Sequence, residues 1–375
     1  MGRGRQNLME RRKFIKGAAV AGVATAAVAA SNFPKPALSQ GLKEWKLAMS
    51  WPLNSPGLGT SGQRVARNIT ALSGGKIKVK VYGGGELVPA FGVFDAVAAG
   101  DAEMYQSAEY YWQGKHKAFN FFTTVPYGLT GTEHAAWMKY GGGQELWDEL
   151  SAQFGLKGFL GNSTGTQMGG WYRKPVNVMD DFKGLKFRMP GLGGEVLRAL
   201  GVTVVNLPVA EIYPALASGA IDAAEWVGPW HDLAFGFHKI TKHYYYPGFH
   251  EPGTSGSYGM NKKVWDGLTK DEQLLVSTVI DAEAHNQFAE FNARNLGSLN
   301  VLLTKHGVQL HKYPQDMLIK IGEVTGDVVS KVGHTDAFTT RVYDSFISYR
   351  KQAITWAKIG EQGFMNARSL PFKYS

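Results

Sequence analysis

Residues 185–227 read LKFRMPGLGGEVLRALGVTVVNLPVAEIYPALASGAIDAAEWV, and their hydrophobic pattern indicates the fold class. Apolar runs of strand length alternate here with segments of helical spacing. The expected strands cover 185–189, 202–207 and 221–227, and the expected helices cover 194–200 and 210–218. Pro190 ends the first strand because it has no N–H, and Gly201 ends the first helix because glycine tolerates the left-handed C-terminal cap. This alternation predicts an α/β fold with helices packed on a sheet.

The alternation continues on both sides of this segment. Towards the N-terminus the pattern predicts strands at 44–51, 77–82, 102–107 and 156–160 and helices at 62–72 and 91–99. Towards the C-terminus two long segments have helical spacing, 270–306 and Phe338 to about Arg368. About 335 residues follow position 39, a length that suits two lobes of ordinary domain size.

The first 39 residues have the three-part layout of a secretory signal. A basic segment with Arg11-Arg12 precedes an alanine-rich run over 17–30, and Ala37-Leu38-Ser39 offers a cleavage site. The paired arginines resemble a twin-arginine export signal, although Glu10 stands where that motif usually has Ser or Thr. The apolar run is shorter than the roughly 20 residues of a spanning helix, so export with cleavage is favoured over a retained membrane anchor.

Charge and cysteine content exclude several kinds of partner and chemistry. The formal net charge is +9, but residues 1–39 contain seven Lys or Arg and one Glu, which is +6 and leaves +3 for the remainder. A charge this small predicts no nucleic-acid partner. The chain has no cysteine, which excludes disulfides, thiolate metal sites and a cysteine nucleophile.

One motif suggests a different class of protein, a secreted serine hydrolase. Gly161-Asn162-Ser163-Thr164-Gly165 matches the G-x-S-x-G nucleophile elbow and would make Ser163 the nucleophile. That elbow requires a helix directly after the turn. The next residues, 166–171, include two glycines and form helices poorly, so a polar ligand-binding loop is the favoured interpretation.

A second motif is similar to a dinucleotide-binding fingerprint. Gly191-Leu192-Gly193-Gly194-Glu195-Val196 has valine at the third glycine position and no well-placed acid about 20 residues later. A glycine-rich turn from strand to helix is the simpler interpretation. Such a helix N-terminus still offers free N–H groups to an anion.

Two charged residues lie at strand ends, where α/β sheets bind ligands. Arg188 can hold a carboxylate with two parallel hydrogen bonds, or it can be a surface residue of an edge strand. Glu225 precedes Gly228-Pro229 and needs a cation or hydrogen bonds if it is buried. The aromatic run 244–249 fits either core packing or a cleft for a carbohydrate or another small ligand.

At these residues the sequence resembles the solute-binding subunit of tripartite ATP-independent periplasmic (TRAP) transporters, and most of all the branch that binds 2-oxo acids and lactate. The likeness runs from about Lys46 to about Ala367. The segments that carry it are Gly85–Pro89, Tyr110–Lys115, Gly165–Trp171, Gly184–Arg188, Ala217–Pro229 and Tyr244–Gly248.

The resemblance implies an α/β two-lobe periplasmic solute-binding protein, type II-like, with a hinge and a long C-terminal helix. It places lobe I in 42–162 plus about 251–300, and lobe II in 163–250 plus about 301–337. Residues 338–375 would form the C-terminal helix. The protein would be a periplasmic receptor rather than an enzyme, and it would deliver its ligand to the membrane subunits of a TRAP transporter.

The resemblance also implies the roles of individual residues. Arg188 would grip the carboxylate of a small monocarboxylate, a 2-oxo acid such as pyruvate or a 2-hydroxy acid such as lactate. The side chains expected to bind this substrate are Tyr110, Tyr111, Asn162, Gln167 and Arg188. A Na⁺ or Ca²⁺ ion would join substrate and protein through Gln167, Glu225, the main chain of Trp226 and Glu251. Oxygen donors of this kind suit hard cations rather than zinc.

This chain differs from that branch at two places. The local sequence His250-Glu251-Pro252 departs from what the resemblance leads one to expect, and Gln113 stands where a Trp is expected.

The branch also exchanges a C-terminal helix between two chains. Here the apolar residues at helical spacing are Val342, Phe346, Tyr349, Ile354, Trp356, Ile359 and Phe364. They are too many for one exposed face of a terminal helix, and the resemblance then implies a homodimer, with a helix packed on its own lobe as the alternative.

Overall fold

A computed structural model describes residues 41–374, so the predicted signal at 1–39 lies outside the described residues. The described part of the chain contains two sheets. The first sheet has the order β2-β1-β3-β10-β4 and consists of β1 (Lys43–Met49), β2 (Ile77–Tyr82), β3 (Met104–Ser107), β4 (Leu156–Gly165) and β10 (Thr254–Asn261). In it β1 and β3 are parallel, whereas β10 is antiparallel to both β3 and β4.

The second sheet positions the two charged strand ends side by side. Its order is β11-β9-β5-β8-β6-β7, with β5 (Gly170–Tyr172), β6 (Lys186–Arg188), β7 (Thr203–Val205), β8 (Ala223–Ala224), β9 (His243–Tyr246) and β11 (Gln309–Lys312). Strands β6 and β8 are parallel, and Arg188 is in register with Ala224. Glu225, the first residue after β8, therefore lies beside Arg188, the last residue of β6.

Helices cover both sheets. Those of the described residues are α1 (Leu58–Leu72), α2 (Val93–Ala99), α3 (Gly131–Tyr140), α4 (Gly143–Ala152), α5 (Gly191–Ala199), α6 (Val209–Ser218), α7 (Pro229–Phe235), α8 (Lys262–Asp266), α9 (Lys270–His306), α10 (Gln315–Gly333), α11 (Ala337–Ile359) and α12 (Glu361–Arg368). Short 3₁₀ turns occupy Ala90–Gly92, Glu109–Trp112, Lys117–Phe122, Met179–Phe182 and Phe237–Lys239. Within 41–374 no helix is both long and apolar enough to cross a membrane.

Helix α9 connects the two halves of the structure. It has 37 residues, which is about 55 Å of helix, and begins at a capping box formed by Thr269 and Glu272. It packs on β4 of the first sheet and on the neighbouring α1. It also packs on α7, which follows β8 of the second sheet. Arg64 of α1 donates to the Glu283 carboxylate from Nε, at 2.9 Å, and from Nη2. This helix therefore holds elements of both sheets in one frame.

The α/β fold class and the two-lobe architecture are confirmed, and α9 has the bounds expected from its periodicity. The exact division of the chain between lobes stays a prediction. Strand β8 is shorter than the expected 221–227, because the chain leaves the sheet after Ala224. The aromatic run is largely core, since Tyr244 and Tyr245 are buried and the Tyr244 ring stacks on Trp171 at 4.0 Å between centroids.

Candidate functional site

Arg188 is buried at the end of β6, with 1% of its surface exposed. Its Nε donates to the Leu207 carbonyl at 3.1 Å, and its Nη1 donates to the Glu225 carbonyl at 3.0 Å and to the Glu225 carboxylate. Its Nη2 is buried and has no hydrogen-bond partner among the described residues. A buried guanidinium with an unused NH2 group is a ready donor for an anionic ligand. The surface alternative for Arg188 is therefore wrong.

Three ionisable side chains meet beside this arginine. One ligand atom each of Glu225, His250 and Glu251 lies within 4.8 Å of the others, and all three residues are buried. His250 Nε2 is 3.2 Å from a carboxylate oxygen of Glu225, and Thr254 Oγ1 donates to the Glu251 carboxylate. The two carboxylates thus share one small volume from which water is excluded.

The electrostatics of the cluster favour an added positive charge. Burial raises the pKa of Glu225 to about 7, even though Arg188 lowers it. Burial and then the neighbouring Glu225 raise the pKa of Glu251 to about 7. Burial lowers the pKa of His250 to about 4, so its imidazole is neutral and supplies no compensating charge at neutral pH. A cation beside both carboxylates would favour their ionised forms.

Gln167 lies in the connection between β4 and β5, next to the acidic cluster. Its backbone N–H donates to the Glu251 carbonyl at 3.0 Å, and its own carbonyl accepts from Gly248 at 3.0 Å. Its side-chain Nε2 donates to Thr164 Oγ1 at 3.1 Å, and its Oε1 is a buried acceptor with no partner among residues 41–374. Amide and carboxylate oxygens are the donors that Na⁺ and Ca²⁺ prefer, so Gln167, Glu225 and Glu251 fit a hard cation.

A small cavity brings the other predicted residues together. Its volume is about 20 Å³, and its lining includes Tyr110, Tyr111, Asn162, Gln167 and Trp226. Both polar atoms of the Asn162 side chain are buried and unpartnered. A volume of this size holds about one water molecule, so a ligand of several atoms can reach the site only if the cleft opens.

Trp226 joins the cavity to the arginine. Its indole ring lies under the guanidinium of Arg188, with 5.3 Å between Cζ and the ring centroid. Such a contact stabilises the cation while leaving the N–H groups in its plane free to donate. The structure thus places all eight predicted site residues around one locus. Their individual roles toward substrate and metal stay predictions.

The serine hydrolase alternative does not match the geometry. Ser163 lies inside β4, which continues to Gly165, and the chain then enters β5 instead of a helix. Its Oγ accepts from the Gly165 N–H at 3.2 Å. The exposed hydroxyl at a strand-to-helix turn that the elbow motif requires is therefore not formed.

Two contributors to the site were not predicted from the sequence. His250 contacts Glu225 and has a buried, unpartnered Nδ1, and the Leu207 carbonyl anchors Arg188 Nε. The departure at His250-Glu251-Pro252 was the one local signal that this segment differs. The Leu207 carbonyl has no side-chain signal, because it depends on the pairing of β6 with β7.

The model of bacterial extracellular solute-binding proteins, family 7, matches residues 47–334 of this chain. The monocarboxylate 2-oxoacid-binding periplasmic protein of Nostoc sp. is 37% identical over 363 residues, which cover 96% of this chain and 99% of the relative.

Two solved structures of TRAP solute-binding proteins are similar over most of their length. One, from Pseudoalteromonas atlantica with bound sodium and pyruvate, has a TM-score of 0.83 and 36% identity, and covers 88% of this chain and 100% of its own. The other, from Bordetella bronchiseptica, is a mixed-occupancy dimer with copurified calcium and picolinate; its TM-score is 0.86 at 30% identity, over 88% of this chain and 98% of its own. With the family model matching well over half of its residues, this chain belongs to family 7 of the bacterial extracellular solute-binding proteins, the solute-binding proteins of TRAP transporters.

Proposed function

We propose that this protein binds a small monocarboxylate, a 2-oxo acid such as pyruvate or a 2-hydroxy acid such as lactate, in the cleft between its two lobes. The observation that carries the proposal is the buried Nη2 of Arg188, which has no hydrogen-bond partner among residues 41–374. One oxygen of a ligand carboxylate satisfies this donor. The tyrosines at 110 and 111 and the free amide of Asn162 hydrogen-bond the rest of the ligand from the opposite wall.

The ligand binds together with Na⁺ or Ca²⁺. The unpartnered Oε1 of Gln167 and the carboxylates of Glu225 and Glu251 supply hard oxygen donors, and the main-chain carbonyl of Trp226 completes the set from the protein. A 2-oxo or 2-hydroxy carboxylate offers two oxygens that chelate the same ion. The cation then offsets the negative charges of ligand and protein, which would otherwise be costly to bury together. The relatives with sodium and pyruvate or with calcium and picolinate support this arrangement.

The protein acts as a receptor and not as an enzyme. It is exported, by the twin-arginine route according to Arg11-Arg12, and hands its ligand to TRAP membrane subunits. The contacts between the two halves through α9 suit a cleft that opens and closes about a continuous element. A receptor of this kind must release its ligand chemically unchanged.

We further propose a homodimer. The first half of α11 packs on its own chain through Val342 and Phe346, which are buried. The apolar residues beyond it are exposed: Trp356, Ile359, Phe364, Met365, Leu370, Phe372 and Tyr374. So many exposed apolar side chains in one terminal segment are typical of an interface between protein chains. An exchanged C-terminal segment would cover it.

Native mass spectrometry and calorimetry test the ligand class. The protein lacking residues 1–39 is titrated with pyruvate, lactate, glucose and a neutral pyruvate amide, with Na⁺ and Ca²⁺ present. We expect binding of the acids alone, and recovery of unchanged acid after denaturation of the complex. Absence of binding by every 2-oxo and 2-hydroxy acid tested, or binding of the amide as tightly as the acid, would falsify the proposal.

A further inference from the structure

His231 connects a residue that follows a strand of the second sheet to a loop that follows a strand of the first sheet. It lies in α7, which follows the second sheet's β8, and its side chain is fully buried. The indole N–H of Trp226 donates to His231 Nδ1 at 3.0 Å. On the other side of the ring, His231 Nε2 contacts the carbonyl of Pro56, which lies in the loop between β1 and α1. One imidazole thus bridges the cleft-lining tryptophan to a loop that leaves the first sheet.

The two partners allow only one tautomer of this histidine. An indole nitrogen is a donor only, so His231 Nδ1 must present its lone pair to Trp226. A proline carbonyl is an acceptor only, so Nε2 must carry the hydrogen and donate it to Pro56. Both bonds form together with a single neutral imidazole. Neither a purely apolar ring nor a side chain that only donates can replace it.

The Pro56 side of the bridge is held rigidly by α9. Gln287, which is fully buried in α9, donates from Nε2 to the Gly57 carbonyl at 2.8 Å. Gly57 has φ +70, and a Cβ there would lie 2.8 Å from the Phe291 ring, so this loop is packed tightly on the helix. The His231 ring itself lies 5.0 Å from the Phe291 ring, centroid to centroid. The loop that carries the Pro56 carbonyl is therefore held on α9 by contacts that do not involve His231.

The Trp226 side of the bridge reaches the ligand site. Trp226 lines the cavity, its ring lies under the Arg188 guanidinium, and it directly follows Glu225, which holds Arg188. A rotation of the indole would therefore disturb the surface on which Arg188 rests. The contacts run without a gap from Pro56 through His231 and Trp226 to Arg188.

We propose that His231 is a positioning residue that couples closure of the cleft to the ligand site: it fixes Trp226 when the Pro56 loop and α7 come together. The inference rests on the proposed function, since it concerns how long a 2-oxo acid stays bound. It predicts that losing the bridge accelerates ligand dissociation more than it slows association, because changes within one binding site act mainly on the dissociation rate.

The test compares His231→Asn with His231→Phe. Asparagine places a carbonyl oxygen near the position of Nδ1 and is too short to reach Pro56, whereas phenylalanine keeps the ring shape and loses both bonds. His238→Asn is the matched control, because it changes another buried histidine that does not contact Trp226. Pyruvate association and dissociation rates are measured by stopped-flow tryptophan fluorescence, closure by small-angle X-ray scattering with and without pyruvate, and folding by thermal unfolding of the free protein.

We expect a pyruvate dissociation rate raised roughly ten- to hundred-fold in His231→Phe and by a smaller factor in His231→Asn, with association rates and the control close to wild type. We also expect small-angle X-ray scattering to show an open cleft in His231→Phe at pyruvate concentrations that close the cleft of the wild type. If His231→Phe does not fold, His231→Asn decides. Wild-type dissociation rates in the folded variants overturn the coupling while leaving the proposed function intact. A wild type that binds no 2-oxo acid overturns both.

Discussion

Arg188 and Glu225 hold each other through a single nitrogen. Nη1 of Arg188 donates both to the main-chain carbonyl of Glu225 and to its carboxylate, while Nη2 donates to no group in the part of the chain that the structure describes. Burial alone would lower the pKa of Arg188, but the nearby Glu225 and the other acidic groups raise it by more. The net pKa is raised, so the guanidinium stays charged. Half of the guanidinium fork is therefore used to fix the arginine, and the other half remains available to a ligand.

Replacing Arg188 with lysine should weaken pyruvate binding by roughly ten- to hundred-fold, although the charge is kept. An ammonium group cannot hold Leu207, Glu225 and a carboxylate in one plane, and a hydrogen bond to a charged group contributes about 1.5–3 kcal/mol. Calorimetry measures the change. Arg198→Lys, in an exposed pair with Glu195, is the control and should bind like the wild type. Unchanged affinity of Arg188→Lys would remove Arg188 from the ligand site.

Removing the cation should abolish most of the pyruvate affinity. Without it, the buried carboxylates of Glu225 and Glu251 face an anionic ligand with only Arg188 to offset them. The measurement is calorimetry in a chelated, sodium-free buffer, followed by restoration of Na⁺ or Ca²⁺. Glu225→Gln should lose at least about ten-fold in affinity, and Glu149→Gln at an exposed pair should lose none. Equal binding before and after removal of the cation would contradict the metal assignment.

Gly256 tests the predicted role of Asn162. The two residues are paired across β10 and β4, and a Cβ on Gly256 would lie 1.8 Å from Asn162 Oδ1. Gly256→Ala must therefore displace the Asn162 amide, at a cost of roughly 1–3 kcal/mol in stability and with several-fold weaker pyruvate binding. Gly114→Ala is the control, since its Cβ would meet nothing within 4 Å. A stable Gly256→Ala protein with full affinity would show that Asn162 does not contact the ligand.

His134 should make the free protein acid-sensitive. Its Nε2 bonds to the Phe121 carbonyl and its Nδ1 to Ser255, and burial lowers its pKa to about 4 from an ordinary value of 6.5. Between these values the unfolded chain binds the proton and the folded chain does not, so stability falls as the pH drops through this range. At pH 5 the loss relative to neutral pH is about 2 kcal/mol.

Urea unfolding at pH 7 and pH 5 measures that loss. The pH-dependent change in the free energy of unfolding should be smaller in His134→Gln than in the wild type, because glutamine does not titrate. The difference between the two proteins isolates His134 from the other buried histidines. Identical pH dependence in wild type and His134→Gln would refute the assignment.

Local patterns predicted the α/β class, the bounds of α9 and the strand end that carries Arg188, because periodicity and glycine or proline boundaries encode these features. They predicted β8 too long, since only the tertiary fold requires the chain to leave the sheet after Ala224 and place Glu225 in the cleft. The role of His250 was missed for a similar reason. It depends on how the loop that carries His250, 25 residues after Glu225, folds back onto the site, and no local spacing encodes that approach.

The C-terminal segment provides the test of assembly. Light scattering of the protein lacking residues 1–39 should give a dimer at micromolar concentration, since an exposed surface containing Trp356, Ile359 and Phe364 is stabilised by burial. Changing these three residues together to glutamate should give a monomer that still binds pyruvate, because none of them lines the cleft cavity.

Truncation before Phe338 should be more damaging than these substitutions, because it also removes Val342 and Phe346 from the core around Trp137 and should leave a monomer or insoluble protein. Tyr140→Glu is the control for the substitutions, as an aromatic residue that is 90% exposed outside the C-terminal segment, and it should remain dimeric. An intact protein that is monomeric at high micromolar concentration would exclude the exchange, and α11 would then serve its own lobe alone.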